Sequence, residues 1–466
     1  MPIVDKFNVD GQDYAIEPVL DAVPMQNSQH AVMSGGVFAD KSDVPVQGST
    51  KNFTAAGAYD FFNGSKTSKS WFGKVFGHLL AREWKRCVAE NAQIPDFYDA
   101  AYGKGLWVAG THNYGCWWSE DGLNWTQGVG DNDDRAVIEV VYANGIWVSS
   151  STIGIFWSED GKNWTIGDGD NTGTRRYPMF VNNMWFCAGA NGNGLYWSED
   201  GKYWTKADGS VAEEYGFYTG SVCYGNGVWV VASAHGAHWS EDGKTWTACT
   251  GFPNVSLRYP AFADGLFLVG VGVGDSSAPG VYWSEDGKTW TSGTTTYTGS
   301  ASYSVGVFVR ANGLWVCTAL GGGADKAGCF WSADGKVWTQ GTGITTYDTS
   351  VNPECLAYAN GVWVCSLNGS GVAYSVDGKD WVVATGISGS VWKLVYKNGI
   401  WVCDASPRPF YSVDGKEWTQ SGGDATGATG SGTKIYYAAG TWVYITANKG
   451  YCSNIEQLIA QGAITD

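Results

Sequence analysis

Arginine side chains are the groups in this sequence with the clearest potential for substrate chemistry. The chain has eight arginines and 45 Asp and Glu residues among its 466 residues. A cluster of guanidinium groups can bind the acidic group of a ligand, and a pair of carboxylates can act as general acid and base. A hydrolytic site assembled from Arg135, Arg175 and Arg258 is therefore one hypothesis that the sequence leaves open.

Other catalytic and metal-binding patterns do not occur in the sequence. There is no Gly-x-Ser-x-Gly motif, no glycine-rich phosphate loop with its lysine, and no His-Glu-x-x-His. The five histidines lack the spacing of metal ligands, and the eleven cysteines contain no Cys-x-x-Cys pair. We therefore expect neither a metal nor a cofactor.

A seven-residue motif, Ser-x-Asp-Gly-x-x-Trp, recurs eight times and sets the organisation of the chain. Successive copies begin about 40 residues apart, which is typical of a radial β array with four strands per blade. The Asp can accept backbone N–H groups across a tight turn, the Gly supplies the required backbone conformation, and the Trp buries its ring in the next strand. The motif aspartates, which we expect to be structural, are Asp121, Asp160, Asp200, Asp242, Asp286, Asp334, Asp377 and Asp414.

The motif resembles the Asp box of sialidase-type and related β-propellers, although that box usually has one more residue between Asp and Gly. The resemblance implies an all-β propeller of four-stranded blades, and the box occurs in enzymes and non-enzymes alike. Sialidase chemistry would need an arginine triad, a Tyr nucleophile with a Glu partner, and an acid/base Asp. That family also has a Phe-Arg-Ile-Pro type motif near its first blade, whereas Gln93-Ile94-Pro95-Asp96 carries no arginine here. We therefore expect no enzymatic activity.

The number of blades follows from counting second strands. Each copy of the repeat has a turn of the Asn-Gly type and then a strand that begins near a Trp, and there are nine such strands but only eight motifs. The last copy, residues 434–454, lacks a fourth strand. Arg82-Glu83-Trp84-Lys85 resembles the end of a repeat, Lys416–Thr419, so it could supply the missing strand and close the ring. The sequence predicts nine blades, with eight blades and a loose last copy as the alternative.

Three regions follow from this count. Residues 1–62 form an N-terminal attachment arm, residues 63–92 a linker with the closing strand, and residues 93–466 the propeller. The spacing of Trp71, Val75 and Leu79 also predicts a short amphipathic helix in the linker.

The cysteines fit the repeat as packing residues. Four of them stand two residues after a second-strand Trp, where other copies have Ala, Ser or Val: Cys187, Cys317, Cys365 and Cys403. Small buried thiols behave as apolar residues. We therefore expect all the cysteines to be reduced and structural.

The arm contains two recognisable features. Asp10-Gly11 predicts a hairpin within Phe7–Tyr14. Residues 23–38 contain His30-Ala31-Val32-Met33-Ser34-Gly35-Gly36-Val37, which resembles an Asn-Ala-Val-x-Ser-Gly-Gly-Val segment common near the N-terminus of tail and appendage proteins of gut bacteriophages. The resemblance implies attachment to other virion tail proteins through residues 1–62.

Charge and hydropathy limit the other partners. The net charge of −16 argues against nucleic acid, and no apolar run reaches the length of a membrane span. No signal peptide opens the chain, so we expect assembly in the bacterial host cytoplasm.

Strand alternation predicts that the two ends of the ring differ. The first-to-second turns and the motif turns lie at one end and are alike in every copy, whereas the second-to-third turns and the blade connections lie at the other end and vary. Because binding residues usually lie on variable loops of a rigid scaffold, we assign recognition to the variable end. The candidate binding residues there are His112, Tyr114, Arg135, Arg175, Arg176, Tyr215, His235, Asp275, Lys326, Tyr347 and Arg408.

These observations predict a receptor-binding or adhesin-like protein of a bacteriophage tail fibre or appendage, located on the virion. Its expected ligand is a glycan or other receptor on the host cell surface. We expect a homo-oligomer on the particle, because several linked copies of a weak site raise avidity. One alternative is a structural virion or baseplate component without a ligand, and another is the sialidase-like glycosidase.

Overall fold

Nine small β-sheets follow one another along the chain and close into a ring. The computed structural model describes residues 6–9, 12–15, 32–33, 36–37, 83–89, 96–190, 193–211, 221–272, 280–295, 303–321, 328–344, 355–367, 369–405, 408–425, 434–446 and 449–453. Within these residues every sheet has the same strand order, and each innermost strand packs against the innermost strands of the two neighbouring sheets, the ninth against the first included. The protein is an all-β, nine-bladed β-propeller, so the eight-bladed alternative is wrong.

Each blade has four antiparallel strands in chain order from the centre outwards. The first strands are Phe97–Gly103, Val137–Ala143, Arg175–Val181, Val222–Gly225, Leu257–Ala263, Tyr303–Ala311, Leu356–Ala359, Val391–Lys397 and Lys434–Ala438. The second strands are Leu106–Thr111, Ile146–Ser151, Met184–Gly189, Val228–Ser233, Leu266–Val271, Leu314–Gly321, Val362–Leu367, Ile400–Ala405 and Thr441–Thr446. The third strands are Cys116–Ser119, Ile155–Ser158, Leu195–Ser198, Gly236–Ser240, Val281–Ser284, Gly328–Ser332, Gly371–Ser375, Phe410–Ser412 and Lys449–Ser453. The fourth strands are Asn124–Gln127, Asn163–Ile166, Tyr203–Lys206, Thr245–Ala248, Thr291–Ser292, Val337–Gln340, Val382–Val383, Thr419–Gln420 and, for the ninth blade, Glu83–Arg86.

The core lies between the blades, because both faces of each second strand pack against neighbouring sheets. Trp147, Trp185 and Trp401 in these strands are fully buried. Burial of a Trp ring contributes about 4–6 kcal/mol before conformational entropy is counted. The four repeat-position cysteines lie in the same strands and are buried, which confirms their packing role. All eleven cysteines lie in the described part of the chain and are free thiols.

The motif turn has the same hydrogen bonds in every copy. In the second blade Asp160 Oδ1 accepts the N–H groups of Lys162 and Asn163, both at 2.8 Å, and the Ser158 hydroxyl at 3.0 Å. The Gly161 N–H donates to Ser158 Oγ at 2.8 Å. Burial opposes ionisation of Asp160, but these hydrogen bonds outweigh it and lower its pKa to about 2. The motif aspartates are therefore structural groups that tie the third strand to the fourth.

In most blade connections a short strand pairs with the fourth strand of the next blade. Val129–Gly130, which follows the first blade, pairs in parallel with the fourth strand of the second blade at Asn163 and Trp164. Equivalent two-residue strands or single bridges occur at the other seams. The linker covers the outer edge of the next blade, so the fourth strand does not present a free edge.

The ninth blade is completed from the N-terminal side of the ring. Strand Glu83–Arg86 pairs antiparallel with Lys449–Ser453 and parallel with the linker strand Gly422–Gly423. Its Trp84 is fully buried and meets Tyr444 edge-on, with 5.6 Å between ring centroids. This strand occupies the place that the sequence predicted for residues 82–85.

The described parts of the N-terminal arm are two short hairpins. Lys6–Val9 pairs with Gln12–Ala15 across Asp10-Gly11, as predicted, and Val32–Met33 pairs with Gly36–Val37. The helix predicted around Trp71–Leu79 lies outside the described residues. Within the described part of the chain, no helix has the length and hydropathy needed to cross a membrane.

Candidate functional site

The ring has a uniform face and a variable face. The uniform face carries the first-to-second turns and the motif turns, and the variable face carries the second-to-third turns and the blade connections. The described candidate residues belong to turns, connections or strand starts on the variable side: His112, Tyr114, Arg135, Arg175, Arg176, His235 and Arg408. Four other candidates, Tyr215, Asp275, Lys326 and Tyr347, lie outside the described residues.

Three of the candidates come together beside the first blade. The turn that holds His112 and Tyr114 is fixed to the following blade connection by a hydrogen bond from the Gly115 N–H to the Arg135 carbonyl at 2.9 Å. His112 packs edge-on against Tyr98 at 5.4 Å, and the Tyr114 side chain is 55% exposed. The Arg135 side chain pairs with Asp134 at 2.9 Å and remains exposed. The result is an open surface with an imidazole, a phenol and a guanidinium, groups that can stack on and hydrogen-bond to a polar ligand.

Arg175 is not part of any such surface, and its assignment as a binding residue is wrong. The side chain is only 1% exposed, and its guanidinium lies 3.8 Å from the centre of the Tyr196 ring. It also donates to the Asp170 carbonyl at 2.9 Å. Arg175 therefore holds the connection between the second and third blades, and it is not available for an open cluster with Arg135 and Arg258.

Arg176 is exposed and lies close to a charged cluster that sequence reasoning missed. The cluster, here called the rim cluster, consists of Asp99, Glu139, Lys434 and Tyr436 near the starts of first strands. Asp99 accepts hydrogen bonds from Lys434 Nζ at 2.9 Å, from the Tyr436 hydroxyl, and from the Val140 N–H at 2.9 Å. Because Lys434 belongs to the ninth blade and Val140 to the second, Asp99 connects three consecutive blades across the closing seam.

Glu139 extends the rim cluster to the third blade. Its Oε2 accepts the Tyr177 N–H at 2.6 Å. Burial raises the pKa of Glu139 to about 7, and the Asp99 carboxylate adds to this, while Lys434 and Arg176 oppose it. Near neutral pH this carboxyl group is therefore partly protonated, and it lies close to the exposed Arg176 guanidinium.

The backbone at Tyr177 is unusual. Its φ is 58°, and Tyr259 in the fifth blade has a φ of 52°, whereas the other described non-glycine residues with positive φ lie in the first-to-second turns. Both tyrosines stand in an Arg-Tyr-Pro sequence at a bulge of the first strand. A positive φ is disfavoured for a bulky residue, so these two bulges are held by surrounding contacts.

A signal for the rim cluster was present in the sequence. Asp99, Glu139, Lys393 and Lys434 all stand three residues before the repeat-position aromatic of a first strand. Charge at a position that other copies fill with Tyr, Ser, Val or Cys marks an exception to the packing pattern. In the sixth blade Arg310 replaces the repeat-position aromatic, and it pairs with Asp264 at 2.7 Å.

The uniform face also has a depression, of about 300 Å³, lined by residues that include Lys104, Glu159, Asp200 and Lys202. Its charges are already satisfied, because Lys202 pairs with Glu159 at 2.6 Å and Lys104 Nζ donates to the Glu159 carbonyl at 2.9 Å. The described residues also contain no group of three side chains suited to holding a metal ion.

No family model matches the chain, and no curated protein sequence is similar to it. Several solved structures have partial similarity to the chain. The computationally designed protein Ika8 is 12% identical, with a TM-score of 0.47, over 80% of this chain and 100% of that one. Sqt1 of Saccharomyces cerevisiae is 8% identical, with a TM-score of 0.47, over 80% of this chain and 99% of that one. An ancestral GH74 enzyme is 12% identical, with a TM-score of 0.40, over 78% of this chain and 59% of that one.

Proposed function

We propose that this protein is a receptor-binding component of a bacteriophage tail, attached through its N-terminal arm and recognising a glycan on the host cell surface through its variable face. One observation carries the proposal. The chain enters the ring at Glu83, the start of a fourth strand, and the last described strand ends at Ser453. Fourth strands start, and third strands end, at the uniform face.

The attachment point and the variable face therefore lie on opposite sides of the ring. An appendage anchored through residues 1–62 would hold the variable face away from its anchor and towards a target. The N-terminal segment that resembles phage tail proteins supports this direction of attachment. The uniform face, with its repeated turns and internal ion pairs, offers less chemical variety to a ligand.

The variable face has side chains suited to a glycan. Tyr114 offers an exposed ring for stacking on a sugar, and Arg135 and Arg176 offer guanidinium donors for hydroxyl or acidic groups. A single site of this kind is open and would bind weakly. Several copies on one particle would strengthen the attachment without new contacts.

Binding of bead-clustered protein to host envelope preparations tests the proposal. Tyr114→Ala and Arg176→Ala should each reduce binding at unchanged thermal stability. Tyr203→Ala and Lys104→Ala are matched controls, because both residues lie on the uniform side. Tyr203 belongs to a motif and is 60% exposed, and Lys104 stands in a first-to-second turn. Absence of binding to every envelope preparation from the particle's own host would favour a purely structural virion part. Release of sugar from a reporter glycoside would favour a glycosidase.

A further inference from the structure

Successive blades are clamped together at the uniform side by a repeated contact. From the second motif onwards, the motif lysine lies over an aromatic ring of the preceding blade. In the second to sixth motifs it also pairs with the motif Glu of that blade. Lys202, for example, lies 4.3 Å from the centre of the Trp157 ring and 2.6 Å from Glu159. The same pairs are Lys162 with Glu120, Lys244 with Glu199, Lys288 with Glu241 and Lys336 with Glu285.

The Glu of this repeated contact is absent from the motifs of the sixth to eighth blades. The second motif position is Ala333, Val376 and Val413 there, instead of Glu. Lys379 still lies 4.4 Å from the centre of the Trp331 ring, and Lys416 lies 5.7 Å from that of Tyr374. Neither lysine forms an ion pair with any residue that the structure describes. Among the described residues, neither Lys379 nor Lys416 therefore has a carboxylate within ion-pair distance.

The same part of the surface is apolar. Val376 is 59% exposed, Val413 is 53% exposed, and Val382 is 52% exposed. Val382 pairs with Tyr374 across the sheet, at a position where other blades have Thr. We call Val376, Val382 and Val413 the apolar sector. Valines this exposed beside unpaired lysines are suited to a partner that carries both apolar and acidic groups.

The chain leaves the ring next to this sector. Each motif turn leans on the preceding blade: a Cβ on Gly415 would come within 2.9 Å of Val364 in the seventh blade. Ser453 pairs with Trp442 in the ninth blade, as a motif serine pairs with the second-strand Trp in other blades. The preceding blade on that side is the eighth, which carries Val413. The thirteen residues 454–466 contain Ile455, Leu458 and Ile459 at helical spacing. They also contain Glu456 and Asp466, and no Lys or Arg.

We propose that residues 454–466 dock on the apolar sector, placing their aliphatic side chains against Val376, Val382 and Val413 and their carboxylates near Lys379 and Lys416. As a helix, a thirteen-residue segment is about 20 Å long. Packed sheets lie about 10 Å apart, so the segment can cross the eighth and seventh blades. Charge favours this segment over the linker that enters at Glu83, because residues 63–82 contain Lys66, Lys69, Lys74 and Arg82.

Disulfide trapping in the full chain tests the docking. Val376→Cys combined with Leu458→Cys should form an intramolecular disulfide under mild oxidation, identified by peptide mapping. The matched control is Val129→Cys with Leu458→Cys. Val129 is 58% exposed and belongs to the edge of the second blade, which is also two blades from the ninth but in the opposite direction. We expect at least tenfold faster trapping at position 376 than at position 129.

A further variant tests the charge and the apolar contact together. Val376→Glu restores the motif carboxylate beside Lys416 and should slow trapping between Val413→Cys and Leu458→Cys at least threefold. Equal trapping at positions 376 and 129, or no trapping at 376, would overturn the proposal. Trapping between two chains would show instead that a second copy covers the sector. Envelope binding by the variable face does not depend on any of these outcomes.

Discussion

Replacing Trp84 by alanine should open the ring at the closing seam. Trp84 is fully buried, and the loss of a buried Trp side chain costs about 3–5 kcal/mol. For a ring spanning residues 83–453, about 2.1 cal/mol/K per residue gives an unfolding entropy near 0.8 kcal/mol/K. The thermal midpoint should therefore fall by about 4–6 °C in calorimetry, in the full chain and at fixed pH.

Trp418→Ala is the matched control, because Trp418 has the equivalent position in the eighth blade and is 4% exposed. Both variants should lose similar stability. Hydrogen exchange should differ: only Trp84→Ala should lose protection in Lys449–Ser453 and Gly422–Gly423, the two strands paired with Glu83–Arg86. Deletion of residues 1–92 should destabilise the ring further. An unchanged midpoint in the deletion, or equal exchange in the two Trp variants, would refute the closure argument.

Two other perturbations test the motif and the buried carboxyl groups. Asp160→Ala removes the acceptor of two backbone N–H groups and should lower the free energy of unfolding, measured by urea denaturation, by about 1–3 kcal/mol. Glu159→Ala removes only a surface ion pair and should lower it by less than about 1 kcal/mol. Equal losses would contradict the structural role of the motif. Thermal stability should be highest near pH 4, between the two effects that follow. Below about pH 4 it falls as Asp160 and its equivalents, whose folded pKa values are lowered, become protonated. Between about pH 4 and 7 it falls as pH rises, because burial raises the pKa of Asp404 and of Glu139 to about 7 and unfolding releases their protons. Asp404→Asn should flatten the decline from about pH 4 to 7. An unchanged profile in that variant would contradict the assignment.

The repeat explains why so much of the fold could be predicted from the sequence. Each motif turn depends on contacts among seven consecutive residues, so Ser158, Asp160 and Trp164 specify their own geometry wherever they recur. The second-strand positions recur nine times, and their burial could be inferred by comparing copies. The closing strand could be found because Trp84 stands in a sequence that resembles the fourth strands elsewhere.

The exposure of the candidate binding residues was harder to predict, because a variable loop has no second copy in the chain for comparison. Arg175 was assigned to the surface from its place in a long connection. In the folded chain the connection turns back, so that the Asp170 carbonyl and the Tyr196 ring enclose the guanidinium. Burial of this kind depends on the path of one loop, which residue types alone do not specify.

Local sequence by itself determined the blades, their turns and their number, because those features rest on short-range patterns repeated at a constant period. Only the tertiary structure decided what happens between blades. Asp99 and Lys434 are far apart in the chain, and ring closure brings them to 2.9 Å. Val376 likewise lies on a surface that its own blade does not complete, because Lys416 of the following blade lies over the Tyr374 ring of the seventh blade.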